Sequence, residues 1–553
     1  MTVTDPAPRA SFDPLPGRRR RERVRTIAST GVAVFGFVSL FAAISRPWRD
    51  RLEIVLDVLP RVVPRSAALT LVLVSVGLLL MARGLRRGQR LAWGAAIGLL
   101  VVSVLLHLAR GLGIEAAVFA AVAATWLATQ RESFGVLPAR ATVRRVLVLG
   151  GSGGVLAVVL AVLLSEVLEP VRFHRFDKVA SPVAILAVAA LAAAAAWVLF
   201  SPREPRALSP AEHREERERA RAVVERYGAG TLDWFALRDD KDWFFTGRSV
   251  VAHAVRGGVC LVSPDPIGPA DEQVTVWLEF LAHVEAHGWS VAVLGARPER
   301  LQLYEASGLR PVYLGDEAIV DCAGFDLSGA RNKSLRQAVG RVARHGYTTT
   351  FHDPAYLDDT LCAELESMQG ESRRGGKERG FSMTLSRLFD PHDTGFLLSV
   401  TRDAQGRADA FVQWVPAPGI DGWSLDVMRR RRDADLPNGL LEATIVATIR
   451  EVEARGKSAL SLNFAPMRSL LSREPEEGRT LADLTRPLLA LLSERTQMAS
   501  LATFNEKFSP RWEPRYVVLD SVDWVAAQSL MMADAEGVTE LPVIGRFLGR
   551  AAA

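Results

Sequence analysis

Six apolar runs crowd the first two hundred residues, and no other property of this chain narrows its fold as much. They cover roughly residues 27–44, 67–85, 91–108, 113–128, 146–164 and 184–200, each near the ~20 residues a helix needs to cross a bilayer. The expectation is an all-α polytopic membrane domain at 26–200, behind a basic N-terminus at 1–25. Six spans return the chain to its starting side. Arg18, Arg19, Arg20, Arg21, Arg23 and Arg25 precede the first run. Arg86, Arg87 and Arg90 lie between the second and third, and Arg131, Arg140, Arg144 and Arg145 between the fourth and fifth. Arginine marks cytoplasmic loops, so these segments and the C-terminal half are expected in the cytoplasm, below a multi-pass cell membrane domain. The outer loop 45–65 also holds five arginines, offset by Asp50, Glu53 and Asp57. A cleavable signal peptide does not fit, because the first run lacks a small-residue cleavage site and more runs follow. Val148-Leu-Gly-Gly-Ser-Gly-Gly154 has the look of a dinucleotide loop, but it lies inside an apolar run, where small residues serve close helix packing. His107 and Glu115 are the polar exceptions near span ends.

The remainder is charged like a water-soluble domain. Mean hydropathy over the whole chain is +0.13, net charge +5 and pI about 9.3, which permits an anionic partner. Cys260, Cys322 and Cys362 stand alone, at neither metal nor disulfide spacing, so no metal site is expected. After a Pro/Arg-rich stretch at 201–206, Ser209 and Pro210 start a charged helix running to about 225, expected as a solvated connector within a linker at 201–226.

From 227 to 327 the pattern reads strand, strand, helix, strand, helix, strand. The strands are 249–254 and 258–263, joined at Gly257-Gly258, then 290–294 and 310–314. The helices are 271–287 and 297–307. A second α/β unit follows at 328–525, with a tail at 526–553 expected to rest on the sheet or the membrane. Lys333, Arg336 and Arg344 line one side of a helix ending at Gly346, with Leu335, Val339 and Val342 on the other. That basic side reads either as solvated or as a phosphate-backbone contact. Residues 373–380 form a basic, glycine-rich loop. Strands are expected at 396–401, 408–415 and 422–428, a helix at 440–455, a strand at 459–465, a helical stretch at 481–500 and a strand at 515–519.

The chemistry concentrates in Ser424-Leu-Asp-Val-Met-Arg-Arg-Arg-Arg432, followed by Asp435-Leu-Pro-Asn-Gly439 and a helix start. By alternation Trp423, Leu425 and Val427 share one face, and Ser424, Asp426 and Met428 the other. A carboxylate, Asp426, and a cation, Arg429, then sit near a strand end. The helix N–H groups after Asn438 and Gly439 suit an anion. Asn463 is a polar group at the next strand end, and Phe504-Asn-Glu-Lys-Phe-Ser-Pro-Arg511 adds Lys507 and Arg511. Arg430, Arg431 and Arg432 suit general attraction to nucleic acid or anionic lipid. As structural alternatives, Asp426 and Arg429 form an ion pair, and Lys507 and Arg511 cover a helix end. Glu442 is expected to be exposed.

These blocks resemble the C-terminal catalytic region of the lysylphosphatidylglycerol synthase (multiple peptide resistance factor) family. The likeness runs through Leu261-Val-Ser-Pro-Asp-Pro-Ile-Gly268, Arg331-Asn-Lys-Ser-Leu-Arg336 to Gly346-Tyr347, Ser424-Leu-Asp-Val-Met-Arg429, Leu436-Pro-Asn-Gly439, Leu460-Ser-Leu-Asn-Phe-Ala-Pro466 and Phe504 to Arg511. It implies tandem GNAT-like (acetyltransferase-like) α/β domains behind a membrane domain. It implies transfer of an amino acid, lysine or alanine, from aminoacyl-tRNA to the hydroxyl of phosphatidylglycerol or a related lipid, with no cofactor. Asp426, Arg429, Lys507 and Arg511 match family functional positions. Lys333, Arg336, Arg430, Asn438, Gly439 and Asn463 are the substrate-binding candidates. The family also uses a glutamate before the Lys507 block; Glu474, Glu476 and Glu477 are candidates, and since the spacing differs none is assigned. The implied partners are aminoacyl-tRNA, the lipid, the bilayer and a second copy of the chain. Two other readings are a flippase-like lipid-binding protein and an acyl-coenzyme A N-acyltransferase, for which the loop at Asp435–Gly439 lacks the expected glycine pattern.

Overall fold

The structure, a computed structural model, describes residues 16–44, 62–109, 114–138, 200–373, 380–433, 435–466, 498–520 and 524–536, with short pieces at 142–144, 148, 194–195 and 198–199. The chain divides into two units: Met1–Pro205 with Ala282–Trp289, and Arg206–Leu281 with Ser290–Ala553.

In the first unit, α1 (Pro16–Ile44), α2 (Val62–Arg86), α3 (Arg90–Ala109) and α4 (Ile114–Thr129) coincide with the first four apolar runs. They bury Phe35, Leu78, Leu85, Ala96, Leu100 and Leu127 against one another. Gly36 permits the close approach, since a Cβ there would lie 3.1 Å from the Ser75 carbonyl oxygen. Phe37, Phe41, Leu105 and Val122 stay exposed, as side chains facing lipid would. By length and composition two described helices can cross a membrane, Gly17–Phe41 and Arg90–His107; Glu115–Thr129 is apolar but shorter. Helix α1 starts at Pro16, so the arginines expected to precede the first span lie on the helix itself. There Arg25 Nε donates to the Ser133 carbonyl at 2.7 Å, and Glu22 pairs with Arg86 at 3.0 Å. The run at 146–164 and most of that at 184–200, with most of the glycine motif, lie outside the described residues.

The second unit is built on β1 (Asp242–Thr246), β2 (Ser249–Arg256), β3 (Val259–Val262), β4 (Ser290–Ala296), β5 (Arg310–Asp321), β6 (Thr348–His352), β7 (Leu397–Arg402), β8 (Ala408–Ala417), β9 (Gly422–Arg430), β10 (Ala459–Pro466) and β11 (Arg511–Leu519). They form one sheet in the order β1-β2-β3-β4-β11-β5-β10-β9-β8-β7-β6. Its helices are α5 (Pro210–Tyr227), α6 (Gln273–His287, of which the residues from Ala282 onward count with the first unit), α7 (Leu301–Ala306), α8 (Lys333–Arg344), α9 (Asp359–Arg373), α10 (Leu440–Ala454), α11 (Met498–Glu506) and α12 (Val525–Ala535). Each half of the sheet has one parallel pair, β3–β4 and β9–β10, amid antiparallel neighbours. This resembles the expected GNAT-like arrangement. The halves are not separate sheets, because β11 lies between β4 and β5, and β5 pairs with β10.

Local chemistry explains the elements read from sequence. Gly257 and Gly258, at φ +57° and +80°, make the two-residue turn between β2 and β3. Ser209 caps α5 through a capping box with Glu212. That helix is no solvated connector: Arg217, Ala220, Arg221 and Val224 are buried, and Arg217 and Arg221 pair with Asp390 and Asp393. Helix α12 lays Met531, Met532 and Ala535 on the sheet against Leu261 and Leu519, so the described part of the tail rests there.

Candidate active site

The site grows out of the β9–β10 pair. Gly422 opens β9 because the strands nearly touch there; a Cβ would fall 1.8 Å from the Ala459 carbonyl oxygen. Parallel pairing covers three residues of each strand, ending at Ser424 beside Ser461. Then β10 bulges. Asn463 takes a left-handed conformation, φ +66°, and the register against β5 jumps between Ser461 and Phe464. Beyond this point the strands splay. The Asn463 side chain bridges the opening, its Nδ2 donating to the Leu425 carbonyl at 3.1 Å and the Met383 carbonyl at 3.0 Å.

Strand β9 bulges as well. Val427 faces Gln413 and Leu425 faces Trp414, which leaves Asp426 as the inserted residue. The strict alternation expected from sequence therefore breaks. Trp423, Leu425 and Met428 pack on the α10 side with Ile445 and Phe508, whereas Val427 packs with Leu361 and Leu365 on the α9 side. Asp426 is buried at 2% exposure. Its Oδ1 accepts from the Leu385 N–H at 2.7 Å and its Oδ2 from Gln413 Nε2 at 2.9 Å. Arg429 is half-buried, with Nε donating to Gln369 Oε1 of α9 at 2.6 Å.

The other candidates spread around this centre. Asn438 and Gly439 precede α10, with Gly439 at φ +95°. Helix α8 flanks them: Arg341 donates to the Asn438 carbonyl at 3.0 Å, and a Cβ on Gly439 would lie 2.5 Å from the Ala338 Cβ. Lys507 Nζ donates to Glu442 Oε1 in the first turn of α10 at 2.8 Å and lies 5.3 Å from the Phe504 ring centre. Glu442 is thus a partly buried partner of Lys507, contrary to the exposed position expected for it. Arg511 opens β11 and binds Asp321 at 3.2 Å and Glu513. The four expected catalytic side chains have different partners: Asp426 and Arg429 share a strand, Lys507 joins α10, and Arg511 joins the end of β5.

Lys333, Arg336 and Arg344 are exposed on α8, while Leu335 and Val342 are buried, as the periodicity required. Arg336 donates to the Leu327 and Gly329 carbonyls, which ties the loop before α8 to the helix. Arg430 ends β9 exposed; Arg431 folds back onto the Ala408 carbonyl at 2.9 Å. Glu474, Glu476 and Glu477, and most of the loop 373–380, lie outside the described residues.

Two arrangements had no sequence signal. Across the middle of the sheet, Ser461 Oγ donates to Glu317 at 2.5 Å, Glu317 takes Arg515 Nε at 2.8 Å, and Arg515 reaches Thr231 Oγ1 at 2.8 Å. Burial raises the Glu317 carboxyl, but Arg515 and the hydroxyls outweigh it and leave it below its ordinary value. In the first half, Asp265 follows β3 at the equivalent strand end. Its carboxylate is taken up by the Tyr304 hydroxyl at 2.6 Å and the Arg297 N–H at 3.1 Å, a structural role.

The lysylphosphatidylglycerol biosynthesis bifunctional protein LysX of Mycobacterium marinum is 35% identical over 335 residues, 59% of this chain and 30% of that protein. LysX of Mycobacterium ulcerans is 36% identical over 338 residues, with the same shares. The chain therefore spans under a third of the length of these relatives. Among solved structures, L-PGS from Bacillus licheniformis matches with a TM-score of 0.52 and 25% identity over 58% of this chain and 96% of that one. The C-terminal domain of a putative lysylphosphatidylglycerol synthetase from Agrobacterium fabrum shares the fold, with a TM-score of 0.50 at 24% identity and the same coverage. Residues 221–519 match the model described as phosphatidylglycerol lysyltransferase, C-terminal, and the chain belongs to that family.

Proposed function

We propose that this chain transfers an amino acid, lysine or alanine, from aminoacyl-tRNA to the head-group hydroxyl of phosphatidylglycerol or a related membrane lipid. The observation that carries this reading is the Asp426 carboxylate, held by two donors in the β9 bulge beside the splay of a family member's sheet. A buried carboxylate at a strand end suits a hydroxyl or an ammonium, either of which brings a donor to it.

The aminoacyl ester is already activated. The lipid hydroxyl oxygen attacks the ester carbonyl carbon while its proton is taken up. The tetrahedral oxyanion then collapses, breaking the bond to the terminal ribose oxygen of the tRNA, which takes a proton in turn. One ester replaces another, so the work left to the protein is positioning, proton transfer and charge stabilisation. Asp426 orients or deprotonates the hydroxyl, or holds the substrate ammonium. Arg429, Lys507 and Arg511 suit phosphate or oxyanion, with Asn438, Gly439 and Asn463 framing the strand ends. Exposed Lys333, Arg336 and Arg430 suit the tRNA backbone. In this reading residues 26–200 hold about six spans in the cell membrane, and tandem domains at 227–327 and 328–525 work on its cytoplasmic side.

The test uses membranes carrying the protein, incubated with tRNAs charged with labelled amino acids. Lipid-extractable label is expected, and Asp426→Asn lowers it by about 100-fold or more, the scale of a lost acid–base group. Undiminished label in that variant removes Asp426 from the site. No label from any charged tRNA removes the transferase reading.

A further inference from the structure

Two buried polar atoms on the strands around Asp426 have no hydrogen-bond partner among the described residues. Gln413, on β8, is 1% exposed; its Nε2 donates to Asp426, and its Oε1 has no hydrogen-bond partner among the described residues. Ser424, on β9, is fully buried, and its Oγ has none either. The orientation of the Gln413 amide is dictated by chemistry: turned over, its oxygen would face a carboxylate oxygen. Ser424 lies across from Val415, two residues along β8 from Gln413 and on the same face. Neighbours at such diagonal positions sit about 7–8 Å apart. By contrast Ser461, beside Ser424 on β10, is fully engaged with Glu317 and the Asn463 N–H.

An unpaired buried polar group costs about 1–3 kcal/mol. Gln413 Oε1 can only accept, and Ser424 Oγ accepts as well as donates, so beside a carboxylate the two suit a ligand rich in donors. A phosphate brings no donor, and a hydroxyl brings one. A primary ammonium brings three N–H groups and the positive charge that Asp426 favours. We infer that Gln413 Oε1 and Ser424 Oγ, with the Asp426 carboxylate, form the subsite that takes the protonated α-amino group of the aminoacyl ester. This rests on the transferase reading above and names the part of the donor that the buried site recognises. It follows that the protein reads a feature every aminoacyl-tRNA shares, and that an acylated amine, uncharged and one donor strong, is rejected.

The experiment compares lysyl-tRNA and alanyl-tRNA with their Nα-acetylated forms, using wild-type protein, Gln413→Leu and Ser424→Ala in membranes. Wild type should transfer the free-amine substrates and strongly disfavour the acetylated ones. Each variant should raise KM for the free-amine substrates about 10- to 100-fold, with a smaller change in kcat, and narrow the preference over the acetylated forms. Thermal unfolding separates binding from architecture: Ser424→Ala should leave the midpoint unchanged or raised, because its hydroxyl has no partner to lose. Wild-type transfer with unchanged KM in both variants, or equal use of acetylated donors by wild type, overturns the subsite alone. A lowered midpoint in Ser424→Ala with KM unchanged overturns it too. No transfer by wild type from any of the four donors overturns the function reading with it.

Discussion

Lys241 shows how far a single side chain departs from what its type implies. It is buried, with Nζ donating to the Phe235 and Ser263 carbonyls at 2.9 and 2.7 Å and lying 4.5 Å from the Phe381 ring centre. Burial drives the ammonium down from 10.5 to about 7. Between those values the unfolded chain holds a proton that the folded chain has released, so stability rises with pH across that window. The thermal midpoint of detergent-solubilised protein should therefore climb from pH 7 toward pH 10, and Lys241→Met should flatten the climb. The ring under Lys241 belongs to the segment 380–385, whose Leu385 N–H reaches Asp426. The Lys241 contact and the donor to Asp426 thus share one short stretch.

At the scale of elements, the start of α10 depends on one glycine. Gly439 combines a positive φ with close contact to Ala338 of α8. Gly439→Ala should cost about 1 kcal/mol for the backbone conformation and about 1–3 kcal/mol more for overpacking. Adding Ala338→Gly should recover part of the steric cost, since the new Cβ would still lie 3.1 Å from the Ala338 Cα, while glycine within α8 itself costs about 0.5–1 kcal/mol. Unfolding free energies of the two single variants and the double variant check this; losses that simply add would show that the contact is not the cause. The two bulges act differently, as they re-aim side chains without moving helices. One inserts Asp426 into β9, and the other turns Asn463 across the splay.

For the second unit as a whole, the decisive feature is a sheet whose halves exchange their closing strands. Strand β5 ends the first half of the sequence but borders β10, while β11 ends the second and borders β4. The expected division at 327/328 falls in the loop between β5 and α8, yet the sheet runs across it. Where the halves meet, Glu317 and Arg515 form an ion pair that is 0% and 5% exposed. Arg515→Met should destabilise by about 3–5 kcal/mol, because it strands a buried carboxylate. Glu317→Leu combined with Arg515→Met should recover much of that loss. Denaturant unfolding of the two single variants and the double variant gives the coupling; losses that simply add would refute the pair as the joint.

What the sequence by itself determined is whatever repeats locally. The apolar runs match α1 to α4, the Gly257-Gly258 turn sits between β2 and β3, and Ser209 caps α5. Leu441, Ile445, Ile449 and Val452 face the core as the helical period required. Strands β1 and β6 and helix α9 carry no clear pattern in the sequence, since five-residue strands and a helix with mixed polarity give weak periodic signals. The residue types of the site were legible because Asp426, Arg429 and Lys507 lie in distinctive blocks. Their surroundings were not. Lys507 meets Glu442 across 65 residues, Arg515 meets Glu317 across 198, and Asp426 takes its donor from Leu385 across 41. A one-residue bulge reverses which face a side chain takes, and no alternation rule foresees it. Patterning of near neighbours follows from helix and strand periods, which a chain carries in its text; pairing of distant groups depends on strand order and bulges, which exist only once the sheet has closed.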